Sequence, residues 1–129
     1  MENNEQLADL HAEHASWQDQ ILHYKGGLKS MKDELGVIVA RHTPRDVPAS
    51  AEHFQNQFIL QRDVLDIMRH DFKQYENKIE EAQKINSTSA DPLLEVRNAY
   101  SVRLSDYDKI YRELKNEFES FKKEETITA

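Results

Sequence analysis

Cysteine is absent from this chain of 129 residues, and residues that interrupt helices are scarce. Without cysteine there is no disulfide, no thiolate metal site and no cysteine nucleophile. Three glycines and three prolines leave few positions for turns. No apolar run approaches the length that spans a membrane, and residues 1–5 lack the basic and apolar regions of a signal peptide. We therefore expect a soluble protein of the cytoplasm.

A basic stripe is also missing from the sequence. The chain carries 17 Lys and Arg against 24 Asp and Glu, a net charge of −7, and its cations are interleaved with acids. Binding to nucleic acid or to an anionic membrane requires clustered cations that displace counterions. Both functions are therefore disfavoured. The 32% of charged residues instead fits elongated helices with a narrow buried seam and a wide hydrated surface.

The apolar residues follow heptad spacing in the first third of the chain. Steps of three and four residues alternate without a slip, which predicts a helix over residues 4–42 with Leu7 at heptad position a. Gly26 and Gly27 fall inside this run, where each costs ~1 kcal/mol relative to alanine. Because the heptad phase is the same on both sides, we expect the helix to continue through them, and a break is the alternative. The seam consists of Leu7, Leu10, His14, Trp17, Ile21, Tyr24, Leu28, Met31, Leu35, Ile38 and His42.

A second seam follows an interruption at residues 43–48. Pro44 cannot continue the hydrogen-bond ladder of a helix. The same spacing then predicts a helix over residues 51–85, in which Gln61 is the one polar residue at a d position. The seam consists of Ala51, Phe54, Phe58, Gln61, Leu65, Met68, Phe72, Tyr75, Ile79 and Ala82.

A third helix is predicted over residues 92–123, after a turn at residues 86–90. Asp91 followed by Pro92 is a helix start, because the aspartate accepts from free N–H groups and proline presets the first helical residue. Two consecutive steps of four residues around Tyr100 form a stutter, which locally unwinds a supercoil. The seam consists of Leu93, Val96, Tyr100, Leu104, Tyr107, Tyr111, Leu114, Phe118 and Phe121.

Three seams of similar length can share one core. Short connections make neighbouring helices antiparallel. The sequence therefore predicts an all-α, up-down-up three-helix bundle of coiled-coil-like helices, a single domain over residues 1–129 with a frayed tail at residues 124–129. A helical hairpin that completes its core by dimerising is the alternative.

This pattern, with Trp17 on the first seam, resembles a spectrin-type three-helix repeat. The run from His53 to Ile59, together with residues 10–14 and Trp17, is similar to a group of small bacterial helical-bundle proteins of unknown function. Both resemblances imply the bundle fold. Neither implies an activity, a cofactor or a functional residue.

Histidines and carboxylates raise the question of a metal site. His11 and His14 lie three residues apart with Glu13 between them, but the sequence contains neither Glu-x-x-His nor His-Glu-x-x-His. We interpret His14 as a histidine at the core edge, in a layer with Ile79 or Ala82 and with Val96 or Tyr100. Paired carboxylates elsewhere fall on helix surfaces, and no phosphate-binding loop is present. We therefore predict no enzymatic activity and no catalytic, cofactor-binding or metal-binding residue.

Four apolar residues of the second helix lie off its seam. Leu60, Val64 and Ile67 follow helical spacing at heptad positions c and g, and Ile59 stands at position b. Scattered apolar residues are common on surfaces, but adjacent ones tend to mark interfaces. We interpret these residues as an interface for a protein partner or for a second copy.

The predicted function is accordingly a non-catalytic module for protein–protein interaction or scaffolding, with a homodimer as one form. A bundle that binds a small molecule or a metal is the alternative. An internal cavity lined by Tyr24, Met68 and Tyr111 would favour that alternative.

Overall fold

A computed structural model describes residues 2–85 and 90–128 of the chain. Three α-helices account for most of these residues: α1 (Glu2–Ala40), α2 (Ala49–Ile85) and α3 (Asp91–Thr128). Within this part of the chain there is no strand. The helices pack against one another as an all-α three-helix bundle, so the predicted fold class is confirmed. Most of the predicted turn at residues 86–90 lies outside the described residues.

Local chemistry sets the connection between α1 and α2. The backbone N–H of Asp46 donates to the Thr43 carbonyl at 2.9 Å, and the Thr43 hydroxyl donates to the Asp46 carboxylate at 2.6 Å. These two bonds close a tight turn around Pro44, which cannot extend α1. The N–H of Ala51 then donates to the Pro48 carbonyl at 3.0 Å as α2 begins.

The predicted frayed tail is wrong for residues 124–128, because α3 continues to Thr128. No glycine or proline follows Lys123 to stop the helix. The carboxylate of Glu125 also lies 2.8 Å from Nε2 of His42 and so connects the last turns of α3 to the chain just after α1. Ala129 lies outside the described residues. The other helix limits differ from prediction by two residues or fewer, as helix ends commonly do.

Side-chain pairs between α1 and α3 show that these two helices run parallel. Arg97 binds Glu13 through two nitrogens at 2.7 and 2.9 Å. Further along both helices, the Tyr24 hydroxyl donates to Asp108 at 2.7 Å. The sequence separation is 84 in both pairs, so the numbering rises together along the two helices.

α2 runs antiparallel to both of its neighbours. Arg103 of α3 binds Asp71 of α2 at 2.7 Å. Further up α3, Phe118 packs against Phe58, which lies earlier in α2. The numbering therefore rises along one helix as it falls along the other, as the up-down-up order requires.

The three seams meet in one core that is rich in aromatic rings. Trp17 is buried as expected, with its ring 5.3 Å from Phe72 and 6.2 Å from Tyr75. α1 also continues through Gly26 and Gly27 without a break, which confirms the expected continuity. A Cβ atom at Gly27 would overlap the hydroxyl of Tyr111, so this glycine lets Tyr111 approach the backbone of α1.

Candidate interaction surfaces and a buried polar cluster

The four apolar residues predicted as an interface lie on two different sides of α2. Ile59, at 46% exposure, lies on the side that faces α1, where it borders a groove between the two helices. Leu60 and Ile67, at 51% and 58% exposure, occupy heptad position c, next to position g, through which Asp71 binds α3. Val64, at position g, is half-buried against the core. The predicted interface is therefore divided between two surfaces.

We call the first surface the basic groove. It lies between α1 and α2, has a volume of about 760 Å³ and opens to solvent. Leu28 and Phe58 form its floor, and exposed Leu22 and Ile59 stand at its edges. Its polar lining consists of Lys25, Lys29, Lys32, Arg62, Asp33, Asp63 and Asp66.

One ion pair bridges the basic groove. Lys25 Nζ lies 2.6 Å from a carboxylate oxygen of Asp66, and this hydrogen bond lowers the pKa of Asp66. Lys29, Lys32 and Arg62 have no ion-pair partner in the part of the chain that the structure describes. These three side chains are therefore available to an external carboxylate.

We call the second surface the acidic flank. It lies along the junction of α2 and α3, which the ion pair between Asp71 and Arg103 spans. Both residues occupy heptad position g, so one heptad further along each helix the same register sets Val64 opposite Ile110. Ile110 is itself 46% exposed. The acidic flank comprises Leu60, Val64, Ile67 and Ile110 with the neighbouring exposed acids Asp106, Glu113 and Glu117.

A buried carboxylate lies near the first turns of α1. Glu76 of α2 is only 4% exposed. One of its oxygens contacts Nδ1 of His11, and the other lies 3.0 Å from Nδ1 of His14 without hydrogen-bond alignment. Nε2 of His14 lies 3.3 Å from the side-chain amide of Gln18. The cluster thus joins α1 and α2 through polar atoms inside an apolar bundle.

Burial lowers the pKa of His14, and the nearby Glu76 carboxylate and a hydrogen bond to the Phe72 backbone oppose this shift. His14 therefore favours the neutral form in the folded state. Within residues 4–85 and 90–125, no group of three or more histidine, aspartate or glutamate side chains is arranged to hold a metal ion.

Two residues of α2 that were not predicted beside His14 lie next to it. Tyr75 packs on the His14 ring at 6.3 Å and Glu76 faces its Nδ1, where the heptad pattern predicted Ile79 or Ala82. Glu76 and His11 both occupy heptad position e, and e positions on antiparallel neighbours approach each other. The shared heptad position of Glu76 and His11 is therefore a feature of the sequence from which their contact could have been predicted.

A second, shallower groove lies between α1 and α3, with a volume of about 420 Å³. Tyr24 and Tyr111 border it, and their rings pack 4.9 Å apart. Met68 lines neither of the two grooves and is buried in the core. Neither groove is therefore the enclosed cavity that would favour a small-molecule function.

None of the three described helices combines the length and the apolar content that crossing a membrane requires. Comparisons of the chain with protein-family models, with curated proteins and with solved structures found no match.

Proposed function

We propose that this chain is a non-catalytic module for protein–protein interaction or scaffolding in the cytoplasm, and that it binds through helix surfaces. The observation that carries the proposal is the exposure of Leu60 and Ile67 on α2, where neither neighbouring helix covers them. The partner is a second copy of the chain, and a different protein is the alternative.

The location of these residues supports the proposal. The seam of α2 is already filled, since Phe58, Leu65 and Met68 are all buried in the core. Exposing Leu60 and Ile67 to water therefore serves no packing within the chain. Burying an apolar side chain of this size is worth ~1.5–3 kcal/mol, so an interface that covered both would gain appreciable stability.

The form of the two grooves also supports a macromolecular partner. Sites for small molecules bury most of the surface of their ligand in a concave pocket. The basic groove and the groove beside Tyr24 both open to solvent along the helices. A helix face of another chain fits such a long, open surface.

The test replaces Leu60 and Ile67 together with glutamate and measures molar mass by light scattering over a range of concentrations. The matched control replaces Val37 and Ile85 with glutamate. These are also exposed apolar residues, but they lie away from this surface. We expect both variants to keep the helical circular dichroism of the unmodified chain. Only the Leu60→Glu, Ile67→Glu variant should show a lower molar mass in solution than the unmodified chain.

If the unmodified chain associates and the Leu60→Glu, Ile67→Glu variant shows the same molar mass in solution, this surface has no role in the association. Equal loss of mass in the control would show that the effect is general to exposed apolar residues.

A further inference from the structure

We infer that copies of this chain associate head-to-tail, with the acidic flank of one copy seated in the basic groove of the next. The inference rests on the proposed function and specifies which surface of each copy takes part in the contact. It also assigns separate roles to the two sides of α2, because Ile59 belongs to the groove and Leu60 and Ile67 belong to the flank.

The heptad positions of the charges make the groove basic toward an incoming chain. Lys29 and Lys32 of α1 occupy positions b and e, and Arg62 of α2 occupies position e. These positions border the junction of the two helices. Asp33 and Asp63, which form no ion pair with any residue that the structure describes, occupy position f, which points away from the neighbouring helix. Lys29, Lys32 and Arg62 therefore stand at the groove, and Asp33 and Asp63 stand on its outer rim.

The opposite arrangement holds on the acidic flank. Asp106 and Glu113 occupy position c of α3, and Glu117 occupies position g, so all three border the α2–α3 junction. All three are exposed, and within the described residues none of them forms an ion pair. Arg103, a cation at this junction close to these acids, is already bound to Asp71.

The apolar row of the acidic flank is shorter than the basic groove. Leu60 and Ile67 are seven residues apart, which corresponds to ~10 Å along a helix. The α1 wall of the groove runs from Leu22 to Asp33, which corresponds to ~16 Å. The apolar row of the flank therefore fits within the groove, with acids left to reach the cations beside it.

A second copy is the occupant that the charges favour. The net charge of −7 opposes random contact between copies, so association requires opposite local charges to meet. Both halves of such a contact are present on one chain. Because the halves differ, the contact is heterologous and cannot be a two-fold interface, and it builds a closed ring or an open chain of copies.

The test uses charge reversal in the full chain, with molar mass measured by light scattering. The groove variant carries Lys29→Glu and Lys32→Glu, and the flank variant carries Glu113→Lys and Glu117→Lys. The control for the groove variant carries Lys115→Glu and Lys123→Glu, which make the same change in net charge as that variant but outside both surfaces. Circular dichroism establishes that each variant remains helical.

We expect each of the two surface variants to remain monomeric at concentrations where the unmodified chain and the control associate. An equimolar mixture of the groove and flank variants should associate again, because the reversed groove of one then meets the reversed flank of the other. The variant that carries all four substitutions should associate as well.

Several results would overturn the inference. If the unmodified chain associates and the groove variant keeps the same mass, the groove is not used, although self-association through α2 as proposed above would stand. If the surface variants are monomeric and their mixture stays monomeric, the two surfaces do not meet. If the unmodified chain is monomeric at every concentration, no second copy binds, and only a different protein partner remains for the proposed function.

Discussion

Gln61 places a polar side chain in the middle of the apolar seam of α2. Gln61 is 8% exposed, and its Oε1 has no hydrogen-bond partner in the described structure. An unsatisfied buried acceptor costs ~1–3 kcal/mol. The Tyr107 hydroxyl donates to the backbone carbonyl of Gln61 at 3.4 Å, and that bond does not depend on the side chain.

We therefore predict that Gln61→Leu raises the free energy of unfolding by about 1 kcal/mol. The substitution removes the unsatisfied acceptor and adds an apolar side chain at a d position, while the Tyr107 bond remains. Thermal unfolding followed by circular dichroism measures the change. A clear fall in melting temperature would mean that the amide of Gln61 has a hydrogen-bond partner.

The pKa of His14 links the stability of the fold to pH. In the unfolded chain this histidine titrates near its ordinary value of 6.5, and burial lowers its pKa in the folded state. Below pH 6.5 the unfolded chain therefore binds more protons than the folded one, which favours unfolding. This contribution to stability is complete above pH 6.5 and is lost as the pH falls toward the folded pKa.

We predict that the free energy of unfolding decreases between pH 7.5 and pH 5.5, and that His14→Gln makes this decrease shallower. The control is His70→Gln, because His70 is exposed and, among the described residues, bonds only to Gln74 on its own helix. Denaturant unfolding at several pH values measures how steeply the free energy of unfolding changes with pH in each variant and in the unmodified chain. Asp66, whose pKa lies below 3.8, acts only at lower pH. Equal slopes for the His14 variant and the unmodified chain would refute the assignment.

At the scale of an element, α1 shows how two adjacent glycines acquire different roles. A Cβ at Gly26 would meet no atom within 4 Å, whereas one at Gly27 would overlap the Tyr111 side chain. Gly26 therefore contributes only the entropic cost of glycine in a helix. Gly27 makes room for a buried ring.

We predict that Gly26→Ala raises the free energy of unfolding by ~1 kcal/mol, and that Gly27→Ala lowers it because the Tyr111 ring must move. The two variants control for each other, since both replace glycine by alanine in the same turn of α1. Denaturant unfolding compares them. Equal gains in both variants would mean that Tyr111 does not pack on Gly27 in solution.

The positions of the three helices could be predicted from the sequence because burial of their apolar residues determines them. The three-four spacing located all three helices, because seam residues such as Ile21, Leu65 and Phe118 must leave water. Contacts at the seam edges depend on axial register as well, which spacing within one helix does not report. The pairing of His11 with Glu76 was missed for that reason. Ile59 and Leu60 differ instead in heptad position, b against c, so their division was readable from the sequence.

At the scale of the whole molecule, the net charge of −7 conceals an uneven distribution. Cations interleave with acids along the sequence, but folding brings Lys29, Lys32 and Arg62 to one groove. The same folding aligns Glu113 and Glu117 beside the apolar row of the acidic flank. Composition could not predict this separation, because it arises only when helices from distant parts of the chain become neighbours.

The measurement that tests self-association most directly is the molar mass of the unmodified chain across concentration. Sedimentation equilibrium from micromolar to millimolar protein, at low and at high salt, provides it. We predict a mass that rises above the 15.1 kDa of one chain, and rises less at high salt because the charges are then screened. A mass of 15.1 kDa at every concentration would contradict self-association.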